Sequence, residues 1–234
     1  MLAIAARFAR MVKVRIRPGH VRPLWAGHPW VYAQAVASIE GTAEAGDVVD
    51  VIDAQGHWLG AGFYSPSSAI AVRILTRTAG EAIDAAFFRA RFARALAFRR
   101  DALGLPDAHT TGYRLVHSEG DGLSGVIADM YDRVVVVQLL SAGMKRREAE
   151  VLGALREVTG ATSIVELPST EHQEREGFSV QARVTGAPVD ALEFRERGFA
   201  YRLPLNSVQK TGFYFDQRDN RAQVESLSKG RRKI

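Results

Sequence analysis

The densest run of chemistry-capable side chains is Gln209-Lys210-Thr211-Gly212-Phe213-Tyr214-Phe215-Asp216-Gln217-Arg218-Asp219-Asn220-Arg221. Three consecutive aromatics follow a glycine, and acids, amides and guanidinium groups follow the aromatics. Charged and amide groups crowded against aromatic surface suit a site that holds a polar ligand. The competing reading is an ordinary loop feeding a helix, with Asp216 or Asp219 as its N-cap. From the residues alone both stay open.

A second cluster lies near the other end of the chain. Arg15, Arg17, Arg22, His28, Trp30 and Tyr32 are close together in sequence. Single-stranded or looped RNA is held by cations on phosphate and by bases stacked on aromatics. That makes Arg15, Arg17, Arg22, His28 and Trp30 the candidate RNA-contacting residues. The alternative is that Trp30 and Tyr32 are core and the arginines merely solvated. A formal net charge of +5 favours a polyanionic partner over an acidic surface's partners, without specifying one.

Other constellations fall away when their physical requirements are checked. Gly120-Asp121-Gly122-Leu123-Ser124-Gly125 matches GxGxxG, but that motif needs its third glycine to open a helix whose N-terminus receives a pyrophosphate. Val126–Tyr131 follows with a β pattern, so the glycines read as tight-turn positions. His20, His28, His57, His109, His117 and His172 form no HExxH and no i, i+4 pair, so no metal site is expected. His117, Ser118 and Glu119 lack the GxSxG frame of a hydrolase. Glu171, Glu174 and Glu176 with Arg175 read as an exposed turn. The chain has no cysteine, which excludes disulfides and thiolate chemistry within it and fits a reducing, cytoplasmic setting. No apolar run approaches the roughly 20 residues of a bilayer span, so no membrane partner is expected. Met1–Met11 is apolar with Arg7 and Arg10 and is too short for a signal peptide; it reads as a disordered leader, or as upstream of a true start at Met11.

The elements that must position these residues follow from periodicity and turn chemistry. Val12–Arg17 alternates apolar Val12, Val14 and Ile16 with basic Lys13, Arg15 and Arg17, the pattern of a half-buried strand with one basic face. After the turn-rich stretch His20–Gly27, strands are expected at His28–Tyr32, Asp47–Asp53, Trp58–Tyr64 and Ala69–Leu75. Short strands with regular turns predict a small β-barrel. Ala79–Gly104 predicts a helix that Asp84 can cap, with Phe88, Phe92, Leu96, Arg99 and Leu103 inward and Arg89, Arg91, Arg94 and Arg100 solvated. Tyr113–Ser118, Val126–Tyr131, Val134–Leu140 and Ser163–Leu167 read as strands, and Met144–Thr159 as one helix stopped by Gly160. Leu192–Glu196 and Phe199–Leu205 flank an Arg197-Gly198 turn as a hairpin. Asn220–Ser228 reads as a helix, Gly230 as its stop, and Arg231–Ile234 as a strand just beginning.

The run from Gln209 to Arg221 resembles the signature that opens the catalytic domain of the PUA-domain S-adenosylmethionine (SAM)-dependent 23S rRNA (cytosine-C5) methyltransferases. Arg114-Leu115-Val116-His117-Ser118-Glu119-Gly120-Asp121-Gly122-Leu123-Ser124-Gly125 is similar to that family's RLVxxExDGLxG, which marks the start of its middle domain. Gly27–Tyr32 (GHPWVY) followed by Gly46–Val51 (GDVVDV) resembles its PUA domain, an RNA-binding pseudobarrel. The resemblance runs from about Val12 to the last residue.

It implies a multidomain α+β / α/β chain: a PUA-like β-barrel over 12–77, a linker helix and small α/β middle domain over 78–190, and over 191–234 the opening β-hairpin and helix of a truncated Rossmann-like methyltransferase domain. By the same resemblance Gln209, Lys210, Thr211, Phe213, Asp216 and Arg218 line or brace the SAM pocket, 23S rRNA is the partner, and a homodimer is possible in principle. In that family the rest of the Rossmann-like domain supplies the glycine-rich loop, the acidic residue for the donor's ribose and a cysteine nucleophile. This sequence holds neither that loop nor any cysteine, so the expectation is that these residues bind no SAM and are inactive by themselves. Three readings stand at this point: the N-terminal part of a methyltransferase, a PUA-containing RNA-binding protein without catalysis, or an interaction protein that pairs through an edge strand.

Overall fold

A computed structural model of the chain describes residues 12–208, 210–228 and 230. The expected leader over 1–11, Gln209 and the strand expected over 231–234 lie outside these residues.

The alternation of Val14 and Ile16 with Lys13 and Arg15 forms β1 (Lys13–Ile16), with both aliphatics fully buried. Then come α1 (Arg22–Trp25), β2 (Trp30–Tyr32), β3 (Val36–Glu40), β4 (Val48–Ile52), β5 (Trp58–Tyr64) and β6 (Ile70–Thr76). They build one sheet in the order β2-β6-β5-β4-β1-β3, antiparallel except where β1 runs parallel to β4. Val14 of β1 and Val31 of β2, far apart in that order, share one apolar cluster with Val49, Val51 and Val72, so the sheet wraps a single core. The sequence patterns give no warning of α1 or β3. Arg-Pro-Leu-Trp is too short to show a period, and β3 is an exposed strand at the sheet edge whose Val-Ala-Ser-Ile-Glu run does not alternate cleanly.

The long helix, α2 (Ala85–Leu103), starts at Ala85 rather than Ala79, because the Asp84 carboxylate accepts the N–H groups of Ala86 (2.9 Å) and Phe87 (3.1 Å). Gly104, at φ +64°, ends it. Phe88, Phe92 and Arg99 face inward as expected, but Leu103 is exposed. Arg91, expected to be solvated, stacks its guanidinium 4.8 Å from the Phe87 ring centre and lies 3.7 Å from Glu81.

The second sheet is built from β7 (Gly112–His117), β8 (Val126–Tyr131), β9 (Val134–Leu139), β10 (Ser163–Glu166) and β11 (Arg183–Gly186), in the order β11-β10-β9-β8-β7. β9 and β10 are parallel, joined through α3 (Ala142–Arg146) and α4 (Glu148–Thr159). The helix expected over Met144–Thr159 is in fact this pair, broken at Arg147 (φ −104°, ψ 22°), with Ser141 capping the first and Gly160 closing the second. This sheet is apolar on both faces. Met130, Val135, Val137 and Ile164 turn toward α2 and α4, while their neighbours Tyr131, Val136 and Val165 turn the other way. The hairpin β12 (Ala191–Glu196) and β13 (Phe199–Pro204) covers that other face through Leu192 and Phe194, followed by α6 (Arg218–Ser228). Between β7 and β8 the GxGxxG letters form a 3₁₀ turn over Ser118–Asp121 and a left-handed Gly122 (φ +69°), leading into a strand and no helix.

The two sheets are joined by packing and by charge. Phe63 and Leu75 of the barrel belong to the same core as α2 and β7–β10, and Gly143 of α3 lies so close that a Cβ there would sit 2.1 Å from Phe63. Arg73 of β6 and Glu176 at the end of α5 (Thr170–Glu176) are both buried and meet at 2.7 Å. Glu176 also accepts the Ser65 hydroxyl (2.7 Å) and the Ala142 N–H (3.3 Å). The expected exposed turn is therefore a helix whose last acid is a buried anchor; a run rich in charge hid one residue that had a partner. Removing that carboxylate strands a buried guanidinium. Glu176→Ala is expected to lower unfolding stability in urea by about 3–5 kcal/mol, against about 0.5 kcal/mol or less for the neighbouring exposed Arg175→Ala.

Candidate functional site

The chain between β13 and α6 folds back against the second sheet and is held by one phenol. Tyr131 at the end of β8 is fully buried, and its hydroxyl donates to the Thr211 carbonyl at 2.8 Å and accepts the Phe213 N–H at 2.7 Å. A Cβ on Gly212, at φ +115°, would sit 2.6 Å from that hydroxyl, so only glycine lets the loop approach this closely. Burial, reinforced by the charge of Asp129, pushes the Tyr131 hydroxyl well above the ordinary tyrosine range, which keeps the proton it donates.

Around this anchor lie an aromatic box and a charged frame. Phe194, Tyr201, Phe213 and Phe215 pack with ring centres 4.9–5.8 Å apart, and Phe194 lies 5.1 Å from Tyr131. Buried Glu196 of β12 accepts both arms of Arg221 (2.6 and 2.8 Å), and the Arg221 guanidinium stands 4.3 Å from the Phe213 ring centre. Arg218 donates to the Gly112 carbonyl at 3.2 Å and passes 3.6 Å from Glu196. On the facing sheet Arg114 pairs with buried Asp129 and reaches Thr211 Oγ1 at 3.4 Å. Burial pushes the Asp129 carboxyl up, opposed by Arg114 and Thr211.

The result is an open cleft of about 1170 Å³ with the 210–219 segment on one side and Arg114, His117, Gln138 and His172 on the other. Of the residues expected at a ligand pocket, Lys210, Thr211, Phe213, Asp216 and Arg218 all line it. Lys210 and Asp216 are exposed, Thr211 is buried, and Phe213 and Arg218 are half-buried braces. Sequence reasoning missed Tyr131, Glu196, Arg114 and Asp129 as supports of this cleft. Asp129 did leave a signal: an acid in the middle of the apolar strand Val126–Tyr131 must be paired to be buried.

The candidate RNA-contacting residues differ in how far they are tied into the fold. Arg15 is tied to Glu40 (2.6 and 3.0 Å) and to the carbonyls of Asp53 and Ala54, so its charge is largely answered within the barrel. Arg17 donates Nε to the Val36 carbonyl and, like Arg22 on α1, is exposed. His28, Trp30 and Tyr32 come together as a ring cluster with centres 5.6–6.2 Å apart. Trp30 is half-buried and gives its indole N–H to Glu119. Among the described residues no group of three or more His, Cys, Asp or Glu could hold a metal, and no helix is long and apolar enough to cross a membrane.

Comparison with known proteins adds to this geometry. Residues 14–77 match the model of a PUA-like domain. A curated relative from Alteromonas mediterranea, named ribosomal RNA large subunit methyltransferase I, is 39% identical over 93% of this chain and 54% of its own length. A protein of the same name from Pseudoalteromonas atlantica is 38% identical over 94% of this chain and 55% of its own. The chain spans about half the length of the curated relatives it matches. Among solved structures, a SAM-dependent methyltransferase from Streptococcus mutans superimposes with a TM-score of 0.74 at 20% identity, over 92% of this chain and 54% of that one. A methyltransferase complexed with SAH gives 0.76 at 20% identity, over 92% and 53%. The likeness to these two is one of fold.

The anchoring role of Tyr131 is open to direct measurement. Tyr131→Phe keeps the ring and leaves the Thr211 carbonyl and Phe213 N–H without their partner, so stability should fall by about 1–3 kcal/mol. Hydrogen exchange at the Phe213 amide should quicken by a larger factor than at β9 amides; unchanged protection there would show the loop is held by something else.

Proposed function

We propose that these residues are the RNA-binding and substrate-positioning part of a SAM-dependent rRNA (cytosine-C5) methyltransferase, with the methyl-transfer chemistry carried by residues outside these 234. The observation that supports this most is the placement of the 210–218 segment. It forms one wall of a cleft against the second sheet, in a chain homologous along 93% of its length to ribosomal RNA large subunit methyltransferase I. The PUA-like match and the ring cluster of His28, Trp30 and exposed Tyr32, near Arg17 and Arg22 in sequence, support RNA as the ligand of the barrel.

The cleft's residues suit one end of SAM. Lys210 can answer a carboxylate and Asp216 an ammonium, while the exposed Tyr214 ring offers a flat apolar face. When bound in a complete site, SAM supplies an electrophilic methyl group. The residues here contribute orientation: Tyr131 and Arg114 fix the wall from behind, and Glu196 with Arg221 fixes the start of α6. Cytosine C5 is a poor nucleophile until a thiolate adds to the neighbouring ring carbon. No cysteine occurs among these 234 residues, so that step is not theirs.

Two measurements test the reading. Purified 234-residue polypeptide given labelled SAM and 23S rRNA is expected to transfer no methyl group and, by calorimetry, to bind SAM negligibly; unaided transfer or micromolar SAM affinity overturns the division of labour. The same polypeptide is expected to bind 23S rRNA fragments at low salt and to lose about tenfold in affinity over a fourfold rise in salt for every two to three phosphates contacted. A salt-insensitive complex, or none at low ionic strength, counts against the RNA role.

A further inference from the structure

The loop with the GxGxxG letters has a different task from the one its spelling suggests. Its Glu119 reaches out of the second sheet to the barrel, where Oε1 accepts the Trp30 indole N–H at 2.8 Å and the Ser124 hydroxyl at 2.6 Å. The loop is braced on each side of that carboxylate. Asp121 takes both arms of buried Arg99 and accepts the His117 N–H at 2.6 Å, and Ser118 Oγ accepts the Gly125 N–H at 2.9 Å. A Cβ on Gly125 would sit 2.7 Å from Ser141 Oγ, so this end of the loop packs closely against the start of α3. On the barrel side Trp30 stands edge-on to both His28 (5.6 Å, 88°) and Tyr32 (6.2 Å, 89°). His28 and Tyr32 lie 6.1 Å apart and tilted by only 32°, and Tyr32 is 38% exposed. The Trp30 N–H of the backbone also donates to His28 Nδ1 at 3.2 Å.

From this juxtaposition we infer that Glu119 is a positioning residue for RNA. It pins the indole of Trp30, and through that ring fixes His28 and Tyr32 as a stacking surface for an unpaired base. The inference rests on the RNA-binding reading given above. Base–aromatic stacking depends on ring orientation, so a ring held from behind presents its neighbours with less rotational freedom to lose on binding. The sign of the effect separates this role from simple charge. A carboxylate near a polyanion opposes binding by Coulomb's law, so on electrostatics alone its removal strengthens the complex.

The test is fluorescence anisotropy of a labelled single-stranded oligoribonucleotide of mixed sequence with the full 234-residue chain at fixed low salt. Glu119→Ala is expected to weaken binding about tenfold, the scale of one lost stack, although it deletes a negative charge. Glu119→Gln keeps an oxygen that accepts the indole N–H and is expected to bind at least as tightly as the unaltered chain. Trp30→Phe keeps a ring without the donor, is expected to weaken binding to a similar degree, and should add little to Glu119→Ala. The slope of log affinity against log salt should stay the same in all of them, since no phosphate contact is touched. Equal or tighter binding by Glu119→Ala, unchanged binding by Trp30→Phe, or equal weakening by Glu119→Ala and Glu119→Gln each overturns the inference. If Glu119→Ala does not fold, Trp30→Phe decides. An unaltered chain that binds no RNA at low salt removes the RNA reading and this inference with it; binding that is indifferent to Glu119 removes the inference alone.

Discussion

The structure turns on a sheet that must be covered twice. Alternation along β8, β9 and β10 sends Met130, Val135 and Ile164 to one side and Tyr131, Val136 and Val165 to the other, so neither face can be left to water. Helices α2 and α4 cover the first. The hairpin β12–β13 and the segment after it cover the second, and this places the 210–218 residues where they are. Their arrangement as one wall of a cleft is a by-product of burying Leu192, Phe194 and Phe215. A polar site is thereby mounted on an apolar foundation, and its geometry inherits the rigidity of a core.

Charge in this chain is placed to join parts as well as to face water. Arg73 with Glu176 and Arg99 with Asp121 each bring at least one buried partner against another element, and Arg114 with Asp129 ties the neighbouring strands β7 and β8 at a buried carboxylate. Such pairs add little net stability compared with apolar substitutes, but a one-sided loss is costly. They therefore favour one mutual placement of barrel, sheet and loop over others, while the apolar clusters supply most of the burial energy.

Much of the architecture was legible in the sequence because period and punctuation agreed. Asp84 and Gly104 bound α2, Gly160 ends α4, and the Arg197-Gly198 turn sits between β12 and β13. What escaped was short or depended on partners far along the chain. β3 and β11 lie at sheet edges and carry mixed residues, so neither shows a clean alternation. Glu176 looked like any acid in a charged run until Arg73, about a hundred residues earlier, was brought beside it. At the cleft the motif residues could be named in advance, whereas Tyr131 and Glu196 could not: a tyrosine or glutamate ending a strand has no local mark that it will hold a loop. Trp30 shows the same limit. Its side chain is shared between exposure and a bond to Glu119, and sequence alone offered only a choice between the two.

Phe63 and Leu75 are barrel residues by strand and second-sheet residues by core. Severing the chain after residue 77 would thus bare two large apolar side chains, the face around Arg73 and the indole of Trp30 to solvent at once. The boundary at which the PUA-like match ends, residue 77, therefore runs through a shared apolar core.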